Sequence, residues 1–122
     1  KKTFAGREYV FVDGGMADNP RYALYKAKYE AMLANKMNEE ADTTYTVAGK
    51  CCESGDMLVM DANLPKAEQG DLLLVSSTGA YNYSMSSNYN RLPKLPVVFV
   101  KDGSSRLVVK GETLEDLIRQ DI

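Results

Sequence analysis

Short apolar, β-prone runs broken by glycine and polar residues recur along the chain. Residues 9–13 read as a buried strand that Gly14-Gly15 ends. Ala17-Asp18-Asn19-Pro20 can start a helix, with Asn19 as cap and Pro20 in the first helical position. Two periods then compete. Tyr22, Tyr25, Tyr29 and Met32 have helical spacing, while Tyr29, Ala31 and Leu33 alternate as in a strand. The reading is a short helix over 20–27 followed by a strand, a choice that periodicity alone leaves open. Residues 38–42 form a polar, acidic loop, and 43–47 are β-branched and aromatic, hence a strand. Residues 48–55 are turn-rich, 57–60 are a short strand, and 65–70 are a polar loop. A further strand covers 71–76, punctuated by Thr78-Gly79, and 81–92 have no clear period. Residues 96–101 and 106–110 flank Asp102-Gly103, a strong hairpin signal. Thr113 caps a last short helix with Leu114, Leu117 and Ile118 as its apolar stripe and Asp116 in the capping-box position. About six or seven strands with short helices near the two ends predict a mainly β, Greek-key-like barrel or sandwich. No repeat or linker divides the 122 residues, so one domain is expected.

Charge narrows the function. There are 15 basic and 17 acidic residues with no block of either sign, which leaves no footprint for nucleic acid or for a polybasic membrane contact. The longest apolar runs, 72–75 and 96–100, are too short to span a bilayer, and no signal-peptide pattern is present. The first residue is Lys1 rather than Met, and the chain reads as an excised piece of a longer protein. The two cysteines, Cys51 and Cys52, are adjacent, which disfavours a bridge between them and fits a reducing cytosol. With no histidine and no second cysteine pair, no zinc or other metal site is expected.

Three stretches carry more polar and glycine residues than a plain β domain needs. In residues 13–25, Arg21 and Tyr25 are four apart and share a helix face. A guanidinium fork beside a phenol suits a carboxylate, although spacing alone favours a solvated arginine and a core tyrosine. In Gly49-Lys50-Cys51-Cys52-Glu53-Ser54-Gly55-Asp56, glycines bracket thiols and a carboxylate. A poised, exposed acid and a buried pair of small hydrophobes both remain open. In residues 76–90, Gly79-Ala80 would let a ligand approach the backbone and Tyr81 could offer a hydroxyl to a phosphate. The length of this loop favours function over a plain surface loop.

Together, DGGMADNPRYALY, GKCCESGD, GDLLLVSSTGAYNYSMSSNYNR and the closing GETLEDL resemble the diaminopimelate decarboxylase family, in the family's order and spacing. These are fold-type III enzymes that use pyridoxal 5'-phosphate (PLP). The resemblance implies an alanine-racemase-like C-terminal β domain lacking its N-terminal (β/α)8 barrel. The lysine forming the Schiff base with PLP would lie in that barrel, outside this chain. It further implies a cytoplasmic homodimer with active sites at its interface, making L-lysine and CO2 from meso-diaminopimelate in lysine biosynthesis. By matched position, Arg21 and Tyr25 bind a substrate carboxylate. Cys52 reaches the partner subunit's site and protonates the reacting carbon. Glu53 contacts the distal amino-acid end, and Tyr81 contacts the cofactor phosphate and borders the substrate. Ornithine enzymes of this class usually have Cys-Asp-Gly where Cys52-Glu53-Ser54-Gly55 stand. Asn82 replaces a frequent glycine and is expected in a left-handed conformation. The alternatives are a related decarboxylase acting on ornithine, arginine or carboxynorspermidine, or a non-catalytic regulatory module on the same fold. The isolated piece is expected to be inactive.

Overall fold

Ala5 and Gly6 both have positive φ, 49° and 76°, and make a two-residue turn. That turn folds β1 (Lys2–Phe4) antiparallel onto β2 (Arg7–Phe11) in a computed structural model that describes residues 1–122. The hairpin has no sequence signal, because alanine stands where such turns favour asparagine or aspartate. It also moves the strand expected at 9–13 toward the N-terminus. Ladder-like bonding nonetheless continues past Phe11, since Val12 N–H donates to the Ala48 carbonyl at 3.0 Å.

β2 pairs in parallel with β4 (Thr43–Ala48), and β4 pairs antiparallel with β5 (Met57–Leu64). The four-stranded sheet therefore runs β1-β2-β4-β5. A parallel pair needs a crossover. Here it contains α1 (Arg21–Tyr25) and β3 (Ala31–Leu33). β3 pairs antiparallel with β6 (Leu73–Val75), and β7 (Val97–Lys101) forms a hairpin with β8 (Ser104–Val109). The short helices α2 (Asn82–Met85) and α3 (Leu114–Ile118) and a 3-10 turn, Tyr89–Arg91, complete the chain. The mainly β expectation holds. The strands form three separate sheets rather than one closed barrel. The layering is that of a sandwich: Ala31, Leu33, Leu73 and Val75 of the β3–β6 pair pack onto the core of the large sheet.

That core contains Val10, Tyr45, Val47, Leu58, Val59 and Leu64. Tyr45 is 1% exposed, and its hydroxyl accepts from Ala67 N–H at 3.2 Å, so its polar end is satisfied inside. β5 extends four residues beyond the Met60 end expected from the pattern. Met60 and Asp61 together oppose Thr46, a bulge in which Asp61 takes φ 54° and bonds Arg7 at 2.9 Å. The bulge resets the alternation so that Ala62 and Leu64 again face the core.

The competition over residues 21–36 resolves as a helix and then a strand. α1 starts one residue later than expected, with Pro20 rather than Asn19 at the cap position. Asn19 Oδ1 still accepts from Arg21 N–H at 3.3 Å, and Lys26 ends α1 in a left-handed conformation, short of the expected 27. The expected capping box is present: Asp116 N–H donates to Thr113 Oγ1 at 3.3 Å and Thr113 N–H to Asp116 Oδ2 at 2.8 Å. No helix is long and apolar enough to cross a membrane.

One ion pair makes stability depend on acid. Asp71 accepts from Asn35 Nδ2 (2.8 Å) and Glu68 N–H (2.7 Å) and pairs with Lys36 Nζ at 2.9 Å. The Asn35 bond, followed by those from Lys36 and Glu68, lowers the Asp71 carboxyl to about 2. The folded value lies below the unfolded one, so the contribution is complete above about pH 4 and disappears as pH falls through 2. Asp71→Asn is therefore expected to lower the urea midpoint at pH 7. The difference from wild type should shrink in titrations repeated at pH 4, 3 and 2.

Candidate functional site

The parallel pairing of β2 and β4 carries the two loops that follow them side by side. Lys50 N–H donates to the Gly14 carbonyl at 3.0 Å. Asp56 joins these loops from inside. Its side chain is buried, Oδ1 accepts from Met16 N–H and Oδ2 from Cys51 N–H, each at 2.7 Å. Two glycines make room for it. A Cβ at Gly15 would lie 2.8 Å from Asp56 Oδ2, and one at Gly49 would overlap the carboxylate. Asp56 was part of a polar stretch singled out in the sequence but carried no assigned role. Its only sequence signal is a carboxylate between two glycine-bearing loops.

The two readings of the cysteine pair divide between neighbours. Cys51 is buried, and burial pushes its thiol pKa up. Cys52 is exposed, and its N–H donates to Asn90 Oδ1 at 2.8 Å. Asn90 is the second residue that sequence reasoning passed over. It sits in the stretch without periodicity, where no local pattern reveals its partner. Glu53 is exposed, and its Oε1 accepts from Gly55 N–H at 3.0 Å and Ser54 Oγ at 3.3 Å. Its other oxygen takes no hydrogen bond within the chain.

Arg21, Tyr25 and Tyr81 come together. The Arg21 guanidinium carbon lies 4.8 Å from the Tyr81 ring centroid and 5.8 Å from that of Tyr25. Tyr25 is exposed, so it is not the core tyrosine that spacing alone favoured. Arg21 takes part in none of the chain's ion pairs. Its planar fork is thus steadied by aromatic faces and left open to a carboxylate. Tyr81 has φ 72°, a costly conformation for an aromatic residue. This corrects the expectation for Asn82, which lies inside α2 and is buried, its Oδ1 facing the Tyr29 hydroxyl at 3.4 Å. The positive φ falls instead on the residue before it, in a tight turn closed by Asn82 N–H donating to the Ala80 carbonyl at 3.0 Å. A Cβ at Gly79 would meet nothing within 4 Å, so the backbone beside Tyr81 is open to a ligand.

No hydrogen bond or ion pair links the Arg21 group to Cys52 and Glu53; Asp56 and its loops are their common support. A cavity of about 590 Å³ borders this support and is lined by Gly14, Asp18, Gly79 and Asn82, among others. Burial raises the Asp18 carboxyl pKa. A larger cavity, about 830 Å³, lies between β2 and the 67–73 segment. Neither cavity is lined by Arg21, Tyr25, Cys52, Glu53 or Tyr81.

A family model described as the pyridoxal-dependent decarboxylase, C-terminal sheet domain, matches residues 1–79. The chain belongs to this family. The match to the decarboxylase sheet domain takes in Arg21, Tyr25, Cys52 and Glu53 and stops short of Tyr81. This sheet domain is 60% identical over 116 residues to diaminopimelate decarboxylase of Bacillus subtilis (strain 168), covering 95% of the chain and 26% of that protein. It is 56% identical to the diaminopimelate decarboxylase of Synechocystis sp. (strain ATCC 27184 / PCC 6803 / Kazusa), covering 94% of the chain and 24% of that protein. Among solved structures, diaminopimelate decarboxylase from M. jannaschii in co-complex with L-lysine superposes with a TM-score of 0.90 at 35% identity, covering 99% of the chain and 27% of that structure. The sheet domain thus spans about a quarter of the curated relatives it matches.

Proposed function

We propose that residues 1–122 act as the C-terminal β domain of a diaminopimelate decarboxylase, a cytoplasmic homodimer that converts meso-2,6-diaminopimelate to L-lysine and CO2 at the end of lysine biosynthesis. The observation that carries this reading is 60% identity over nearly the whole chain to an enzyme of that name. An N-terminal barrel holding the cofactor lysine completes the active site. The exposed apolar side chains of Val98, Phe99, Val100 and Leu107 on the β7–β8 hairpin, and of Leu114 and Ile118 on α3, support further protein covering these elements. A lone two-stranded hairpin in water is marginal at best.

Bound pyridoxal phosphate supplies the electron sink for decarboxylation. Tyr81, whose side chain is exposed, would contact the cofactor phosphate, and Gly79, two residues earlier, leaves room for a ligand near the backbone. Arg21 offers its fork to a substrate carboxylate, with the Tyr25 ring beside it. Glu53 holds a free carboxylate oxygen for the distal ammonium group. Cys52, reaching the second subunit's site, delivers a proton to the carbon that CO2 leaves.

The test is CO2 release by the full-length parent on meso-diaminopimelate, ornithine, arginine and carboxynorspermidine. Turnover confined to diaminopimelate is expected, and comparable turnover of ornithine would overturn the substrate assignment. Arg21→Ala should raise KM about 10- to 100-fold, the value of a charge-assisted contact, with a smaller rise for Arg21→Lys. The 122-residue piece alone should release no CO2.

A further inference from the structure

We infer that Asn90 is a positioning residue for the Cys52 thiol, acting through a strained backbone that the C-terminal segment locks in place. The inference rests on the catalytic reading of Cys52. Consecutive amides in the cysteine loop are each held by a side chain: Cys51 N–H by Asp56 and Cys52 N–H by Asn90. The first acceptor is buried and lies within the loop. The second comes from the 3-10 turn, 38 residues along the chain, and is exposed.

The backbone there is unusual. Asn90 (φ 55°, ψ 24°) and Arg91 (φ 56°) are successive non-glycine residues in the left-handed region. Such a pair persists only where its surroundings over-determine it, and strain of this kind clusters at functional sites. The surroundings are visible. Arg91 makes a bidentate pair with Asp121, Nη1 to Oδ2 at 2.8 Å and Nη2 to Oδ1 at 3.2 Å. Glu112 Oε2 accepts from Lys94 N–H at 2.8 Å and from Asn88 Nδ2. Residues around α3 thereby clamp both flanks of Asn90. The side chain that results points its carbonyl at the Cys52 amide, one of the two peptide groups that together fix the direction of the Cys52 Cα–Cβ bond.

The residue type separates this role from a merely structural one. Glycine adopts φ near 55° freely but has no acceptor. Aspartate tolerates the same conformation and keeps an acceptor. If position 90 needs only its backbone, Asn90→Gly is neutral or stabilising. If Asn90 orients Cys52, the glycine variant disturbs the thiol even where the fold gains.

The experiment uses the full-length parent as wild type, Asn90→Gly, Asn90→Asp and Cys52→Ala. It measures kcat, KM and the rate of Cys52 carbamidomethylation by iodoacetamide, with Cys51 and Cys52 resolved by fragment-ion mass spectrometry. For Asn90→Gly, kcat is expected to fall on the order of fivefold with KM nearly constant, matching the loss of one hydrogen bond. The Cys52 alkylation rate should change by a similar factor. Asn90→Asp should restore both. An alkylation rate in Asn90→Gly equal to wild type overturns the inference, whatever happens to turnover. Loss of turnover in Cys52→Ala with none in Asn90→Gly also overturns it. Full turnover in Cys52→Ala instead overturns the catalytic reading, and the alkylation rates alone then decide the positioning role. Should Asn90→Gly fail to fold, Asp121→Ala, which unlocks Arg91 from a distance, must show the altered alkylation rate or the inference fails.

Discussion

Cys52→Ala in the full-length parent is expected to reduce kcat for CO2 release from meso-diaminopimelate by about 100-fold or more, with little effect on KM. A positioned proton donor acts in the transition state and contributes little to ground-state binding. The structure also supplies an internal control. Cys51 is the neighbouring thiol but is buried, with a raised pKa. Cys51→Ala should leave kcat nearly unchanged and instead cost on the order of 1 kcal/mol of stability through lost packing. If the two alanine variants have equal kcat, Cys52 is not the donor.

The second large effect concerns the support rather than the chemistry. Gly49→Ala should destabilise the protein by about 3 kcal/mol, combining overpacking with hydrogen bonds lost to a displaced carboxylate. The new methyl overlaps Asp56, whose oxygens satisfy Met16 and Cys51. Asp56 can move only by leaving at least one buried donor without a partner. Gly79→Ala is the matched control, because nothing lies within 4 Å of its Cβ position; a change under about 0.5 kcal/mol is expected. Urea melts of both variants make the comparison, and equal midpoints would remove the steric role of Gly49. The double variant Gly49→Ala/Asp56→Ala should be more stable than the sum of its single variants, because the second substitution relieves the first.

Elements carried by near neighbours were legible in the sequence. Asp102-Gly103 marked the β7–β8 turn, and both residues have positive φ, 49° and 72°. Thr113 and Asp116 marked the start of α3 at a separation of three residues. The β-branched run over 43–47 marked β4. The turn at Ala5-Gly6 escaped because its residues are atypical for its geometry. The far half of β5 escaped because the apolar run ends at Met60, and the bulge at Met60 and Asp61 that restores the alternation depends on pairing with β4. The same contrast governs the candidate site.

The residue types, their order and the family resemblance were in the sequence, and they marked Arg21, Tyr25, Cys52, Glu53 and Tyr81 as candidate site residues. Tertiary structure alone decided which cysteine is exposed, brought Arg21 between two rings, and made supports of Asp56 and Asn90. Asp56 meets Met16 across 40 residues, and Asn90 meets Cys52 across 38. A local pattern records what a residue prefers beside its neighbours. Only chain packing determines which amide or carboxylate it must satisfy once water is excluded.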